Sequence, residues 1–131
     1  MCPDRRDELD NDSAWCAVRG RLLMYAYLAS PYSHEDAEVR DARYGVALAA
    51  VARLIDAGAC VYSPIVHSHE LSRRHALKSD AGFWWTYNRT MIRYAGRMIV
   101  LRIDGWDQSP GVAQEMAFAK QIGLRLSFID G

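Results

Sequence analysis

The sequence lacks an excess of charge of either sign. Its 131 residues include 16 lysines and arginines and 16 aspartates and glutamates, which gives a formal net charge of zero. Nucleic acids and anionic membrane surfaces attract proteins mainly through positive charge. The balanced composition offers no electrostatic reason to expect either partner, and we predict no nucleic-acid partner and no membrane partner.

Long apolar segments are also missing. The longest apolar stretch, YGVALAAVARLIDAGACVY, is interrupted by Arg53 and Asp56, whereas a membrane helix needs roughly 18 or more uncharged residues. The first residues, MCPDRRDELDNDS, are polar and acidic and contain no hydrophobic core of a secretory signal. We therefore expect neither a membrane span nor a secretory signal.

Cysteine is scarce. The three cysteines, Cys2, Cys16 and Cys60, are widely spaced and form no C-x-x-C pair. Scattered cysteines in odd number are typical of reduced thiols and not of a disulfide framework. Together with the polar N-terminus, this predicts a cytoplasmic protein.

Metal-binding patterns are weak. His67, His69 and His75 lie near Glu70, but H-x-H is a common spacing and no second group of ligands follows it. We interpret these histidines as solvated loop residues. The sequence predicts no metal and no organic cofactor.

The length and composition fit one folded domain. Half of the residues are hydrophobic, as in ordinary globular proteins, and a chain of this length buries a core of useful size. Residues 1–20 are rich in charge and show no periodicity, so we expect a polar N-terminal extension there. Residues 21–131 are predicted to form a single domain.

Short apolar runs alternate with helical patterns along this domain. LMYAYLA (23–29), ACVYS (59–63), RMIVLRI (97–103) and LRLSFI (124–129) are typical of buried strands. Helices are predicted from the capping-box-like Ser33 and Asp36 to Ala57, from Ala81 to Ala95, and after Ser109. Pro64 is expected to break the second strand, and residues 65–80 are expected to be polar and irregular, with a short helix around LSRRHAL (71–77) as the alternative. The alternation predicts a small doubly wound α/β domain, flavodoxin- or Rossmann-like, with four to five parallel strands and helices on both faces.

Three loops of this arrangement follow carboxyl ends of strands. They span residues 30–36, 64–80 and 104–111. In open parallel sheets, ligands bind outside these strand ends. We therefore expect the functional residues in these loops and in the helix that begins after the third.

One carboxylate lies on the wrong side of its helix. At 100° per residue, Glu115 falls inside the apolar arc of the last helix, between Ala119 and Ile122. A glutamate near a helix N-terminus is also favoured by the helix dipole alone. Because this helix starts at the ligand-binding edge, we interpret Glu115 as a carboxylate that faces a pocket, in the place of a nucleophile or general base.

The start of the same helix has two readings that are compatible. Ser109 is a preferred N-cap and Pro110 a preferred first helical residue, so neither requires a further function. A capped N-terminus with Gly111 at its second position also exposes backbone N–H groups that can hold a phosphate. At the end of the first strand, Tyr27 is placed by the topology at the same edge.

Three segments together resemble the nucleoside 2-deoxyribosyltransferase superfamily, especially its small bacterial and phage members. They are YLASPYS (27–33), IVLRIDGW (99–106) and SPGVAQEMAFAKQIG (109–123), and the similarity extends over residues 24–129. The resemblance implies cleavage of an N-glycosidic bond by a glutamate nucleophile, at the position of Glu115, through a covalent glycosyl-enzyme. It also implies that Tyr27 orients this carboxylate and that the protein is at least a homodimer.

Two positions discriminate within that superfamily. The first lies six residues before the nucleophile. Transferases that act on nucleosides resemble one another in having aspartate there, whereas this sequence has Ser109, which is similar to the 5′-monophosphate N-glycosidases. In the helix before the third strand, the aspartate of the superfamily is replaced by Asn88, whose amide cannot donate a proton as an acid does. Asp104 is the alternative candidate for the acid that donates this proton.

The resulting hypothesis is an enzyme that hydrolyses the N-glycosidic bond of a nucleoside or deoxynucleoside 5′-monophosphate. Base exchange by a transferase and a non-catalytic nucleotide-binding module are the alternatives. The residues expected to be catalytic are Glu115, Tyr27, Asn88 and Asp104. Those expected to bind substrate are Ser30, Pro31, Ser33, His67, Ser109, Pro110 and Gly111.

Overall fold

The protein contains four strands and four helices in the part of the chain that the structure describes. This computed structural model describes residues 25–77 and 80–131. The strands are β1 (Ala26–Ala29), β2 (Val61–Tyr62), β3 (Arg97–Arg102) and β4 (Leu126–Asp130). The helices are α1 (Ala37–Asp56), α2 (Pro64–His75), α3 (Ala81–Arg93) and α4 (Pro110–Gln121), with a 3₁₀ turn at Trp106–Gln108.

All four strands are parallel, in the order β2-β1-β3-β4. β1 is central and completely buried, because alternate residues of this strand face two separate apolar clusters. Tyr27 and Ala29 belong to one cluster, and Ala26 and Leu28 belong to the other. The prediction of a small doubly wound α/β fold is confirmed.

Helices cover both faces of the sheet. Ala47, Ala50 and Val51 of α1 complete the cluster around Leu28. The opposite cluster receives Ile92 near the end of α3, and Val112 and Ala119 of α4. Burial of this apolar area from water on two sides is the main stabilisation of such a sheet. None of the described helices is long and apolar enough to span a membrane.

The strand order determines where a ligand can bind. From β1 the chain crosses to β2 on one side of the sheet, and later returns to β3 on the other side. The loops that leave β1 and β3 therefore diverge, and the carboxyl ends of these two strands are the place where open parallel sheets generally bind ligands. In register with Tyr27 are Tyr62 of β2 and Met98 of β3, so Tyr27 lies between these two strands, in the interior of the sheet.

The expectation of an irregular segment at 65–80 was wrong for most of its length. α2 runs from Pro64 to His75, and the Ser63 hydroxyl caps it by accepting a hydrogen bond of 3.1 Å from the N–H of Val66. We interpreted Pro64 as the residue that breaks a strand, whereas Ser-Pro is also a strong helix start. Residues 78 and 79 of the predicted loop lie outside the described residues.

The first long helix begins differently from the prediction. Asp36, and not Ser33, is its N-cap, and its carboxylate accepts a hydrogen bond of 2.9 Å from the N–H of Glu38. The end of the helix agrees with the sequence, because Gly58 has the positive φ of 98° expected after a helix C-terminus. The predicted extension, residues 1–20, lies outside the described residues.

Candidate active site

Glu115 occupies the inner face of α4. Its side chain is 8 % exposed, and Val112 and Ala119, the buried residues on either side in the helix, are almost fully enclosed. The helix starts at the predicted cap, where the Ser109 hydroxyl accepts a hydrogen bond of 3.2 Å from the N–H of Val112. The carboxylate is thus buried, little more than one turn inside a helix that begins at the ligand-binding edge.

Tyr27 contacts this carboxylate directly. The hydroxyl of Tyr27 donates a hydrogen bond of 2.7 Å to Oε2 of Glu115, and both side chains are buried. The two residues are 88 positions apart in the chain, so the contact is made by the fold and not by local structure. A hydrogen bond to one carboxylate oxygen fixes the plane of the carboxylate and leaves the other oxygen for a ligand.

The environment of Glu115 changes its protonation. Burial raises the pKa of Glu115 from 4.5 to about 7, and the hydrogen bond from Tyr27 opposes this shift by stabilising the charged form. Burial, followed by the charge of Glu115 and the hydrogen bond to it, holds the pKa of Tyr27 well above its ordinary value. At neutral pH, Glu115 is therefore ready to exchange a proton, whereas Tyr27 stays protonated and keeps donating.

Aromatic rings extend from this pair toward α2 and α3. The rings of Tyr27 and Tyr62 lie 5.9 Å apart, and those of Tyr62 and His67 lie 5.7 Å apart. The hydroxyl of Tyr87 is 2.8 Å from Nε2 of His67. Burial and the nearby hydroxyl of Tyr87 raise the pKa of Tyr62, although the two hydroxyls form no well-oriented hydrogen bond.

The two adjacent tryptophans of α3 point in different directions. Trp85 packs against Phe118 of α4, with 5.8 Å between ring centroids, and belongs to the core. Trp84 instead contacts Tyr87, with 5.3 Å between centroids. Trp84 therefore continues the aromatic row formed by Tyr62, His67 and Tyr87.

A buried histidine of α2, His69, contacts the loop that follows β1. His69 is 7 % exposed, its Nδ1 lies 2.7 Å from the Tyr32 hydroxyl, and its Nε2 lies 3.4 Å from Asp41. Its ring also stacks on Tyr44 at 4.0 Å. The interpretation of His69 as a solvated loop residue was wrong, because it lies on the inner face of α2, which the sequence analysis did not predict.

The predicted substrate-binding residues of this loop lie in different environments. Ser30 and Pro31 are buried, and the Ser30 hydroxyl has no hydrogen-bond partner among the described residues. Ser33 is exposed, and its carbonyl accepts a hydrogen bond of 3.0 Å from Arg43 of α1. The fold therefore turns the first half of the loop inward and its second half outward.

Arg43 joins this loop to the loop after β3. A Cβ added to Gly105 would lie 2.7 Å from Nη2 of Arg43, so the guanidinium packs against the glycine backbone. Gly105 also has a positive φ of 89°, which favours glycine. Arg43 was not among the predicted residues, because a single arginine on an exposed helix gives no signal of a contact between two loops.

Neither Asn88 nor Asp104 forms a hydrogen bond with Glu115 in the part of the chain that the structure describes. Asn88 is half-buried on α3, one turn before the core residue Ile92, and its Oδ1 is enclosed without a hydrogen-bond partner among the described residues. Asp104 is exposed in the turn that follows β3. Of the two, Asn88 has the better position for binding a ligand. Its enclosed oxygen is a hydrogen-bond acceptor without a partner, and a ligand that carries a donor would satisfy it.

The start of α4 is accessible. Ser109 is half-buried, whereas Pro110 and Gly111 are exposed. A Cβ on Gly111 would meet only the Ser109 hydroxyl, at 3.8 Å, so packing within the protein does not require glycine there. Within residues 25–77 and 80–131, no group of three or more His, Cys, Asp or Glu side chains is arranged to hold a metal ion.

The fold and these contacts define a class of protein. It is a Rossmann-like α/β domain with a buried glutamate and a tyrosine paired at the switch point of its sheet. Residues 24–130 match the family described as Domain of unknown function (DUF1937), and the chain belongs to that family. No curated protein matches the sequence.

Proposed function

We propose that the protein hydrolyses the N-glycosidic bond of a nucleoside or deoxynucleoside 5′-monophosphate. The observation that carries the proposal is the hydrogen bond of 2.7 Å between Tyr27 and the buried Glu115. A buried carboxylate held by a neutral donor, at the ligand-binding edge of a parallel sheet, has the properties of a glycosidase nucleophile.

Glu115 acts in two steps. In the first, a carboxylate oxygen forms a bond with C1′ of the sugar, the bond from C1′ to the base nitrogen breaks, and the base leaves with the electron pair. In the second, water attacks C1′, the ester bond to Glu115 breaks, and the sugar phosphate is released. Tyr27 keeps its hydrogen bond to the other oxygen throughout, so the nucleophile retains one orientation.

The start of α4 would hold the 5′-phosphate. Backbone N–H groups and the positive end of the helix dipole favour an anion there, and Ser109, Pro110 and Gly111 leave this end accessible. A serine at the cap adds no charge, whereas a carboxylate there would repel a phosphate dianion. This supports a monophosphate substrate over a free nucleoside.

The other predicted residues complete the pocket. The loop of Ser30 and Pro31 would lie against the sugar, and the enclosed acceptor of Asn88 would receive a hydrogen bond from a hydroxyl or the base. The aromatic row of Tyr62, His67 and Tyr87 offers flat surfaces for a heteroaromatic base. This arrangement calls for no metal or organic cofactor.

The direct test is release of free base. Purified protein is incubated with a panel of ribo- and deoxynucleoside 5′-monophosphates and the matching nucleosides, and free base is quantified by chromatography. The proposal predicts release from at least one monophosphate, faster than from its nucleoside. Release only when a second base is present would instead identify a transferase, and stabilisation by nucleotide without release would identify a binding module.

A further inference from the structure

Cleavage of an N-glycosidic bond requires a proton for the departing base. A nitrogen base is a poor leaving group as an anion, and a side chain that protonates it in the transition state accelerates such reactions by about 10²–10⁴-fold. Asn88 cannot supply this proton because it is an amide. Tyr27 cannot supply it either, because its hydroxyl donates to Glu115.

The aromatic row contains one side chain suited to this task. His67 lies in the first turns of α2, which begins at the carboxyl end of β2, and it is exposed. Two ring contacts, of 5.7 and 5.9 Å, connect it through Tyr62 to Tyr27. The imidazole thus belongs to the row of aromatic contacts that ends at the partner of the nucleophile, and a general acid must lie apart from the nucleophile, on the other side of the scissile bond.

Tyr87 fixes the orientation of the imidazole. Its hydroxyl is 2.8 Å from Nε2 of His67, and the two rings stack with 5.6 Å between centroids. Nδ1 of His67 makes no hydrogen bond to any of the described residues. One ring nitrogen is therefore held by the protein while the other is open, the arrangement in which histidine transfers protons in enzymes.

We propose that His67 is the general acid that protonates the departing base, an inference that rests on the proposed function. As the bond from C1′ to the base nitrogen breaks, the proton on Nδ1 of the imidazolium moves to the base. In the second step, neutral Nδ1 takes a proton from the water that attacks C1′. The imidazolium is restored, and the net reaction consumes one water molecule.

The test compares two leaving groups on the same sugar phosphate. One substrate is the nucleotide that wild type cleaves, and the other carries 4-nitrophenol in place of the base, because 4-nitrophenolate departs without a proton. The variants are His67→Gln and, as a matched control, His75→Gln. His75 is an exposed histidine in the last turn of the same helix. Thermal unfolding of each variant checks that the fold is intact.

The proposal predicts a loss that depends on the leaving group. His67→Gln should lower kcat/KM for the nucleotide by about 10²–10⁴-fold and change kcat/KM for the nitrophenyl substrate by less than about fivefold, while His75→Gln matches wild type with both. Equal losses with both substrates, or no loss with either, would overturn the role of His67 while the proposed function stands. Wild-type protein that releases base from none of the nucleotides in the panel would overturn both.

Discussion

Tyr27 of the central strand and Glu115 of the last helix share a hydrogen bond of 2.7 Å inside the protein. An unpaired carboxylate at this depth would cost several kcal/mol of folding free energy as an anion. The fold accommodates it by raising the pKa of Glu115 to about 7 through burial, while the Tyr27 hydroxyl limits that rise. This balance has measurable consequences.

The stability of the protein should depend on pH through Glu115. Between the unfolded pKa of 4.5 and the folded pKa of about 7, the folded state binds more protons, so stability falls as pH rises. The contribution is fully present below the lower value, and at about 1.36 kcal/mol per pH unit the loss is about 3 kcal/mol once pH exceeds the higher value. Glu115→Gln should therefore gain about this much stability relative to wild type between pH 4.5 and 8.

Urea unfolding of both proteins across this pH range measures the difference, with all other titrating groups held in common. A stability difference that stays constant from pH 4.5 to 8 would show that the pKa of Glu115 is not raised by folding.

Removing the Tyr27 hydroxyl should raise the pKa of Glu115 further. Tyr27→Phe keeps the ring that packs against Tyr62 and deletes only the donor that stabilises the carboxylate. If ionised Glu115 is the nucleophile, the rise of kcat/KM with pH should move above pH 7. Base release measured from pH 5 to 9 tests this, and an unchanged midpoint with an unchanged rate would exclude an orienting role for Tyr27.

Ser109 caps α4 and, in the proposed function, also lies beside the 5′-phosphate; two substitutions separate these roles. Ser109→Ala removes the cap that accepts from Val112 and should cost about 1 kcal/mol of stability. Ser109→Asp keeps a good cap but places a negative charge beside the phosphate. It should keep wild-type stability and raise KM for the monophosphate about 10- to 100-fold, a loss of about 1.4–2.7 kcal/mol in binding.

The matching nucleoside is the control substrate for both variants. Equal effects of Ser109→Asp on nucleoside and monophosphate would place the phosphate elsewhere.

His69 and Tyr32 should be energetically coupled. His69→Phe keeps a ring to stack on Tyr44 and removes the hydrogen bond to Tyr32, and Tyr32→Phe removes the same bond from the other side. The double variant should be about 1 kcal/mol less destabilised than the sum of the single variants. Chemical denaturation of the four proteins gives this coupling energy, and strict additivity would mean that the bond does not hold the loop.

A side chain at Gly105 should destabilise the protein, mainly because the backbone there has a positive φ. Gly105→Ala introduces a Cβ 2.7 Å from Arg43 at a backbone φ of 89°, so we expect at least about 1 kcal/mol of destabilisation. Gly45 is a matched control, because a Cβ there meets no atom within 4 Å, and alanine in a helix is favoured over glycine. Gly45→Ala should thus be neutral or stabilising, and equal melting temperatures for the two variants would contradict the expected backbone strain at Gly105.

The position of Glu115 could be predicted from the sequence because it depends on local periodicity. The apolar arc of α4 and its Ser-Pro start both lie within about a dozen consecutive residues. The alternation of strands and helices likewise predicted a parallel sheet. The burial of Glu115 agrees with that reasoning. Its contact with Tyr27 was expected only from the family resemblance, since residues 88 positions apart leave no periodic signal.

α2 was missed because two local signals conflicted. Pro64 after a short apolar run favours the end of a strand, whereas Ser63 before it favours a helix start, and the polar sequence that follows gave no clear apolar face. This error also affected the prediction of the site. Without a predicted helix, His67 and His69 could not be assigned to opposite sides of it. Arg43 and Gly105 meet through the tertiary fold, and no pattern within either segment predicts that contact.

The central claim is that Glu115 becomes covalently attached to a sugar, and rapid quenching of the reaction tests it most directly. Wild type and Glu115→Gln are mixed with a monophosphate that wild type cleaves, quenched in acid within the first turnover, digested, and analysed by mass spectrometry. We predict a sugar-phosphate adduct on the peptide that contains Glu115 in wild type, and neither adduct nor base release in Glu115→Gln. Base release that continues in Glu115→Gln, or an adduct on another residue, would contradict the account.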